Sequence, residues 1–223
     1  MPSAVEPSHF APARLHDASA EAAVARALHE GIGSPRLGFH GVIDERLDVG
    51  LVAALADARP RWQIVIAGPV VGIDPAQLPQ RTNLHWRPMP PHAVLPYLAA
   101  QWDVCLLPFV LGEATRYFSP TQALESMAAD KPLVSTALHD VQQLYGSAVR
   151  IGRDTAEFIA HCEAALAETP AARTQRGAAT REIVARSTWD HAARRVLRLI
   201  DTALEPFDEA RAAVLGAGRS LVH

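Results

Sequence analysis

One stretch of the chain, residues 108–132, concentrates the side chains that could do chemistry. It reads PFVLGEATRYFSPTQALESMAADKP, a pattern that predicts a strand ending at Pro108, a loop, and a helix opening at residues 119–121. A Ser or Thr at the cap, a Pro in the first turn and unpaired backbone N–H groups would suit that helix start to an anion. Thr115 and Arg116, just upstream, would add a hydroxyl donor and a positive charge.

Glu125 is a candidate for binding a sugar beside the phosphate. It follows Thr121 by four residues, so the two share one side of the predicted helix. A carboxylate there can accept two hydrogen bonds from a vicinal diol such as that of a ribose. The same residues also fit an ordinary helix cap, with Glu125 favouring the helix dipole. These residues alone leave both interpretations open.

Two further loops carry weaker signals. The loop GVIDERLD begins at Gly41, which permits close backbone approach, and contains Arg46, whose guanidinium could reach a diphosphate. The alternative for Arg46 is a surface ion pair with its acidic neighbours. The loop WRPMPP is stiffened by three prolines, so the backbone from Arg87 to Met89 could face a flat ring. The alternative there is a tight strand-to-helix connector.

Other active-site types find no support in the sequence. The histidines show no metal-ligand spacing, so no metal is expected. His139 and Asp140 lack an accompanying Ser or Cys elbow, and we interpret them as a polar loop. The segment AGPVVG has neither the G-x-G-x-x-G spacing nor that of a Walker loop. We therefore expect neither a metal nor a cofactor.

Short apolar strands must position these loops. They alternate with helices, which predicts an α/β fold with a single doubly wound, Rossmann-like parallel sheet and ligands at the carboxyl ends of the strands. The predicted strands are 36–40, 62–67, 82–87, 104–108, 132–135 and, less regularly, 149–151. The predicted helices are 18–30, 49–58, 91–101, 121–129, 155–168, 171–186 and 188–203.

These elements divide the chain into four parts. Residues 1–34 form a linker-like, proline-punctuated extended segment with a short helix, and residues 35–186 form the ligand-binding domain. A C-terminal helix follows over residues 187–205. Residues 206–223 form a weakly patterned tail.

Composition restricts the class of protein. The 223 residues are 49% hydrophobic and carry a formal net charge of −3, which fits one ordinary globular domain and argues against nucleic acid as a partner. No apolar run reaches the roughly 18 residues of a membrane span, and no secretory signal is recognisable. The two cysteines lie far apart. We therefore expect a cytoplasmic location without disulfides.

The chemical stretch resembles a known family. SPTQALESMAADKPLVST is similar to the donor-binding helix of GT-B glycosyltransferases of the group 1, family 4-like class, whose pattern is roughly S-P-x-K-x-x-E-x-M-A-x-G-x-P-V-V. Flanking pieces agree in order: LGFHGVIDERLD, WQIVIAGPV, NLHWRPMPPHAVLPYLAAQWDVCLLPF, DVQQLYG and STWDHAARRVL. The resemblance covers roughly residues 35–199. PSAVEPSHFAPA, near the N-terminus, resembles the interdomain linker of that family.

The resemblance implies the C-terminal, nucleotide-sugar-binding lobe of a GT-B enzyme. The helix start would cradle the diphosphate, Glu125 would hold the ribose hydroxyls, and the backbone at 87–89 would contact the base. The implied donor-binding residues are Gly41, Arg46, Arg87, Met89, Thr115, Ser119, Pro120, Thr121, Gln122 and Glu125. Glu113 or Thr115 would face the donor sugar, and Arg116 would supply charge; Glu113 and Arg116 are the implied catalytic residues.

Three positions depart from the family pattern. Gln122 stands where a phosphate-binding Lys is common, Tyr117 where many relatives have a Glu, and Asp130 where a Gly is usual. Arg116 could replace the charge that Gln122 lacks. The alternative is a catalytically degenerate module that keeps the fold but not the chemistry.

The resemblance also sets expectations about reaction and partners. It implies transfer of a sugar, with retention, from a UDP- or GDP-type donor to an unknown acceptor, without a metal. An N-terminal acceptor domain would be missing or separate, so this lobe alone would bind donor without turnover. Peripheral membrane association would come through that missing half. A two-domain sugar-nucleotide epimerase is a weaker alternative, because no paired carboxylates support it.

Overall fold

The computed structural model describes residues 3–11 and 18–218 and contains a sheet of six strands. The strands are β1 (Arg36–His40), β2 (Gln63–Ala67), β3 (Leu84–Arg87), β4 (Val104–Leu107), β5 (Leu133–Thr136) and β6 (Arg150–Gly152). Their order is β3-β2-β1-β4-β5-β6, and every neighbouring pair is parallel. The predicted fold class, a doubly wound parallel sheet, is confirmed.

Helices connect the strands. They are α1 (Pro7–Phe10), α2 (Ala20–Leu28), α3 (Val49–Ala58), α4 (Leu95–Ala100), α5 (Thr121–Ala128), α6 (His139–Tyr145), α7 (Thr155–Leu166), α8 (Pro170–Arg186) and α9 (Trp189–Gly218). A 3₁₀ turn, His92–Val94, leads into α4, so the helix predicted over 91–101 is split. Within the described residues, no helix is both long and apolar enough to cross a membrane.

Continuous apolar runs explain the central strands. The β4 sequence VCLL is buried at every position, and the QIVIA of β2 is buried at all but its first. A strand covered by helices on both faces needs such a run rather than alternation. Phe39 of β1 lies opposite Ile66 of β2 and is itself fully buried.

Gly38 gives the sheet room for a large aromatic ring. A Cβ atom at this position would lie 1.9 Å from Cδ2 of Trp102, so the indole packs directly on the β1 backbone. The Trp102 indole N–H donates to Nε2 of His29, 2.9 Å away. This hydrogen bond gives the buried indole nitrogen of Trp102 a partner and holds its ring in place against β1.

Two further predicted segments differ from the structure. His139 and Asp140, predicted to be a polar loop, open helix α6, because Val141 and Tyr145 are buried four residues apart on one helical face. The N-terminal segment, predicted to be extended, contains α1, which has Pro7 in its first turn and Glu6 as its cap. Of that segment, residues 1–2 and 12–17 lie outside the described residues.

The C-terminal helix is also longer than predicted. It was expected to end near Ala203, with a tail from residue 206, but α9 continues to Gly218. Phe207, Val214 and Leu215 continue the helical spacing of apolar residues beyond Pro206, which interrupts the pattern without ending the helix. Residues 219–223 of the predicted tail lie outside the described part of the chain.

Asp130 joins the exit of α5 to α8. Its φ of +53° is left-handed, the backbone conformation that a Gly adopts most easily. Its carboxylate accepts a hydrogen bond from Arg176 Nη1, 3.1 Å away, and Arg176 also pairs with Glu168. An Asp is therefore accommodated in this tight exit by a specific cation.

Candidate functional site

The sheet places the candidate loops at one edge. Strand order reverses between β1 and β4, because β2 and β3 lie to one side and β5 and β6 to the other. The loops that follow β1 and β4 therefore open a crevice at the carboxyl ends of the strands, where doubly wound folds bind ligands. The first turn of α5 lies at this crevice, directly after the β4 loop.

The loop after β4 is held by its own threonine. Thr115 ends a 3₁₀ turn, is buried, and donates its hydroxyl proton to the Val110 carbonyl. The same oxygen accepts the Gly112 N–H at 3.1 Å. The prediction that this hydroxyl binds a ligand is therefore not supported, because the folded loop already uses it.

Glu113 and Arg116, the implied catalytic residues, remain exposed on the same loop. The Arg116 guanidinium lies 5.5 Å from the centre of the Tyr117 ring, which is 80% exposed. A cation over an exposed ring is weakly held, so Arg116 is available to an anion in the crevice. Tyr117 stands where many relatives have a Glu, so no carboxylate at this position repels that anion.

Helix α5 begins without a side-chain cap from its N-cap residue. Pro120 occupies that position in extended conformation and has no hydrogen-bonding side chain, so the prediction of a Ser or Thr cap is wrong. The Ser119 hydroxyl is buried beside that of Tyr145, and the Ser119 carbonyl accepts the Ser3 hydroxyl proton at 2.7 Å. The backbone N–H groups at Thr121 and Gln122 are thus not consumed by Pro120, which favours an anion there.

Gly41 and Gln122 bring the β1 loop against α5. Gly41 has a φ of +150°, and a Cβ atom on it would lie 2.8 Å from Nε2 of Gln122. A Cβ atom on Gly68, after β2, would lie within 3 Å of the Gly41 carbonyl group. The predicted close approach of the backbone at Gly41 is present, and the Gln122 amide lies on it.

Arg46 forms an ion pair with its acidic neighbour Asp44. Its Nε lies 3.1 and 3.0 Å from the two carboxylate oxygens of Asp44. The hydrogen bonds from this guanidinium hold the pKa of the Asp44 carboxyl below its usual range. The guanidinium also lies 5.1 Å from the centre of the Phe118 ring. Arg46 therefore faces the β4 loop across the crevice, already paired with Asp44.

The loop after β3 leaves backbone atoms for a ligand. The Arg87 side chain turns away towards α2, where Nε donates to the Leu28 carbonyl at 2.9 Å. Met89 is exposed. The Arg87 side chain is therefore engaged elsewhere, and contact between the backbone of residues 87–89 and a base stays a prediction.

Glu125 and His40 form a buried pair that the sequence did not suggest. Glu125 Oε2 lies 3.3 Å from His40 Nε2, and the side chains are 13% and 6% exposed. Burial raises the pKa of Glu125 to about 7. Burial, with a smaller effect from His92, lowers the pKa of His40 to about 4. Near neutral pH, His40 is therefore uncharged, and Glu125 exchanges between its acid and its carboxylate.

The charged and polar groups at the crevice are not clustered as metal ligands in the part of the chain that the structure describes. In residues 3–11 and 18–218, no group of three or more His, Cys, Asp or Glu side chains could hold a metal ion. The arrangement at the crevice instead offers N–H donors, one exposed cation and a buried carboxyl group. These groups suit a ligand that carries both phosphate and hydroxyl groups.

A family model described as glycosyl transferase-like matches residues 48–198, more than half of the chain. The chain belongs to this glycosyl transferase-like family. The match includes the β4 loop and α5, which carry most of the candidate site residues.

Individual proteins similar to this chain are also named as glycosyltransferases. TuaH of Bacillus subtilis (strain 168), which bears the name "Putative teichuronic acid biosynthesis glycosyltransferase", is 27% identical over 150 residues, covering 64% of this chain and 38% of TuaH. Among solved structures, a glycosyltransferase from Rickettsia africae has a TM-score of 0.69 at 12% identity, covering 91% of this chain and 56% of that one.

A UDP-forming trehalose-phosphate synthase from Burkholderia xenovorans has a TM-score of 0.67 at 16% identity, covering 90% of this chain and 51% of that one. At such identities the likeness shows the fold, which is that of one lobe of a GT-B glycosyltransferase. The chain therefore spans about half the length of these structures, and less than half of TuaH.

Proposed function

We propose that this chain is the donor-binding lobe of a GT-B glycosyltransferase and holds a nucleotide diphosphate sugar of UDP or GDP type. The observation that carries the proposal is the start of α5. There, backbone N–H groups not capped by Pro120 lie at the crevice, with the buried Glu125 carboxyl group one turn further along. The B. xenovorans relative, named as UDP-forming, supports this donor class.

Each part of the donor meets a matching group in this proposal. The diphosphate binds at the N–H groups of Thr121 and Gln122, where the helix dipole favours negative charge. The ribose diol donates two hydrogen bonds to Glu125. The base lies against the backbone of residues 87–89. Gly41 allows the phosphates to approach the β1 loop.

Catalysis in this proposal stabilises the leaving diphosphate. Transfer builds negative charge on the departing phosphate, and fixed N–H dipoles with a nearby cation lower the energy of that state without a metal. Gln122 can donate an amide hydrogen bond but no charge, so Arg116, exposed on the loop that precedes α5, supplies the cation. Glu113 faces the donor sugar, and transfer proceeds with retention.

The other lobe supplies the acceptor site. Because this chain spans about half of the solved relatives, we propose that an N-terminal acceptor domain, in the same or another polypeptide, completes the enzyme and makes any contact with a membrane surface. The lobe alone then binds donor without turnover. We propose polysaccharide biosynthesis as its setting, because the relative TuaH is named for teichuronic acid biosynthesis.

Titration calorimetry with UDP and GDP tests the proposal. We expect one of them to bind the isolated chain, and Glu125→Gln to weaken that binding about 10-fold or more, because a neutral amide accepts hydrogen bonds less well than a carboxylate. Glu182→Gln is the matched control, since Glu182 is 77% exposed on α8. Absence of binding at millimolar nucleotide by the folded protein contradicts the proposal.

A second function is favoured by three specific residues. Gln122, Tyr117 and Asp130 replace the residues typical of active relatives, which supports a binding module that has lost transfer chemistry. Such a module binds UDP or GDP as tightly as an active lobe does. The variant Gln122→Lys distinguishes an active lobe from a degenerate module, because it restores the charge. If donor hydrolysis by this variant, combined with the N-terminal acceptor domain, stays at background, the degenerate module is the better description.

A further inference from the structure

His40 is held in place by a series of aromatic contacts. Its ring stacks on Trp102, with centroids 6.0 Å apart and planes 25° from parallel. Trp102 packs on Gly38 and donates its indole N–H to His29, whose Nδ1 lies 2.7 Å from the Ala25 carbonyl. Rotation of the His40 ring would therefore disturb a close-packed stack.

Glu125 is the group that this stack presents to the crevice. Its Oε2 is buried and, within the described residues, lacks a hydrogen-bond partner, because the His40 contact at 3.3 Å does not have hydrogen-bond alignment. A buried oxygen without a partner is costly, and such atoms mark places that a ligand can complete. The backbone of α5 fixes the other end of the side chain.

We propose that His40 is a positioning residue that sets the Glu125 carboxyl group in the orientation that accepts a ribose diol. The imidazole gives Oε2 a polar neighbour and blocks rotamers that would carry the carboxyl group into the sheet. Because the ring is itself immobilised by Trp102, the carboxyl group is oriented before the ligand arrives. The inference rests on the proposed function, and it adds a residue from β1 that does not itself touch the nucleotide.

Two variants separate the ring nitrogen from ring packing. His40→Phe keeps an aromatic ring on Trp102 but removes the polar atom beside Oε2. His40→Gln removes the ring but returns a polar nitrogen at about the same distance from the backbone. His85→Leu is the control, because His85 lies on β3 and bonds to Gln63 instead.

Calorimetry with UDP and GDP, each beside its 2′,3′-dideoxy analogue, isolates the diol. We expect the wild-type protein to prefer the ribonucleotide by about 10- to 100-fold, since a diol on a carboxylate makes charge-assisted hydrogen bonds. In His40→Phe that preference falls at least fivefold, while affinity for the dideoxy analogue stays within twofold. His40→Gln recovers at least half of the lost preference, on a logarithmic scale, and His85→Leu matches the wild type.

The outcomes distinguish this inference from the function on which it rests. If the wild type prefers the ribonucleotide and His40→Phe retains the full preference, or loses affinity equally for both ligands, the positioning role is wrong and donor binding stands. If the wild type binds neither diphosphate, the proposed function fails and takes the positioning role with it. If both His40 variants fail to show a folded wild-type spectrum, the residue is structural and the positioning role is likewise wrong.

Discussion

Glu125 gives ribonucleotide affinity a specific pH dependence. In the ligand-free protein, burial raises its pKa to about 7. The diol of a bound ribose donates to the carboxylate, so binding favours the charged form and lowers this pKa. Burial lowers the pKa of His40 to about 4 and raises that of the Cys105 thiol on β4, so neither of these groups charges near neutrality; His92 acts electrostatically on His40. Glu125 is therefore the group in the pair whose charge changes near pH 7.

The magnitude follows from the pKa of the ligand-free protein. The pKa of Glu125 is higher in the ligand-free protein than in the complex. The interaction between the diol and the carboxylate is therefore fully present above pH 7 and is lost as the pH falls through 7. Below pH 7, binding must remove one proton from Glu125. Each further pH unit therefore lowers the diol contribution to affinity by a factor of ten, or about 1.4 kcal/mol. We therefore expect the diol contribution to affinity to fall about tenfold between pH 8 and pH 6.

The assay is the affinity ratio of ribonucleotide to 2′,3′-dideoxynucleotide, measured by calorimetry at pH 6, 7 and 8. Ionisation of the diphosphate affects both ligands equally and cancels in the ratio. Glu125→Gln should make the ratio independent of pH, and Glu182→Gln should leave the wild-type curve unchanged. A wild-type ratio that is flat, or that rises as the pH falls, refutes the reasoning.

Two stability predictions concern the backbone. Gly38→Ala places a methyl group within 2.5 Å of the Trp102 ring and should lower the free energy of unfolding by about 1–3 kcal/mol in urea denaturation, whereas Gly33→Ala, which meets no atom within 4 Å, should change it by less than about 0.5. Equal effects of the two would contradict the packing described. Asp130→Gly relieves the left-handed φ but loses the Arg176 pair, so it should stay within about 1 kcal/mol of wild type, while Asp130→Ala keeps the strain and should be about 1 kcal/mol less stable than the Gly variant. Equal stability of the Gly and Ala variants would show that φ is unimportant there.

Much of the fold could be predicted from local patterns. The apolar runs of β2 and β4 are short, uninterrupted and bounded by turn residues, so each specifies a buried strand within a residue or two. Helix α6 was missed because its buried face consists of only Val141 and Tyr145, too few residues to make a visible period. Helix α9 is longer than the sequence predicts because Pro206 lies inside it, where a proline ordinarily ends a helix.

The site was predictable only where it is local. Glu125 stands out because it follows a helix start on the same segment. His40 could not be paired with it from sequence, since the two are 85 residues apart and meet only because β1 and β4 are neighbours. The one available signal was that His40 ends a buried strand immediately before Gly41. The hydrogen bond from the Thr115 hydroxyl to the Val110 carbonyl could not be predicted, because the direction of that hydroxyl depends on the 3₁₀ turn.

The most direct test of the donor-binding claim is a backbone-amide NMR titration of the isolated chain with UDP and with GDP. We predict saturable shifts, for one of the two, at the amides of Thr121, Gln122 and Glu125 and at Gly41, with the strands of the sheet unmoved. Saturable binding whose shifts lie away from the first turn of α5, or no shifts at millimolar nucleotide, would contradict the assignment of this crevice as the donor site.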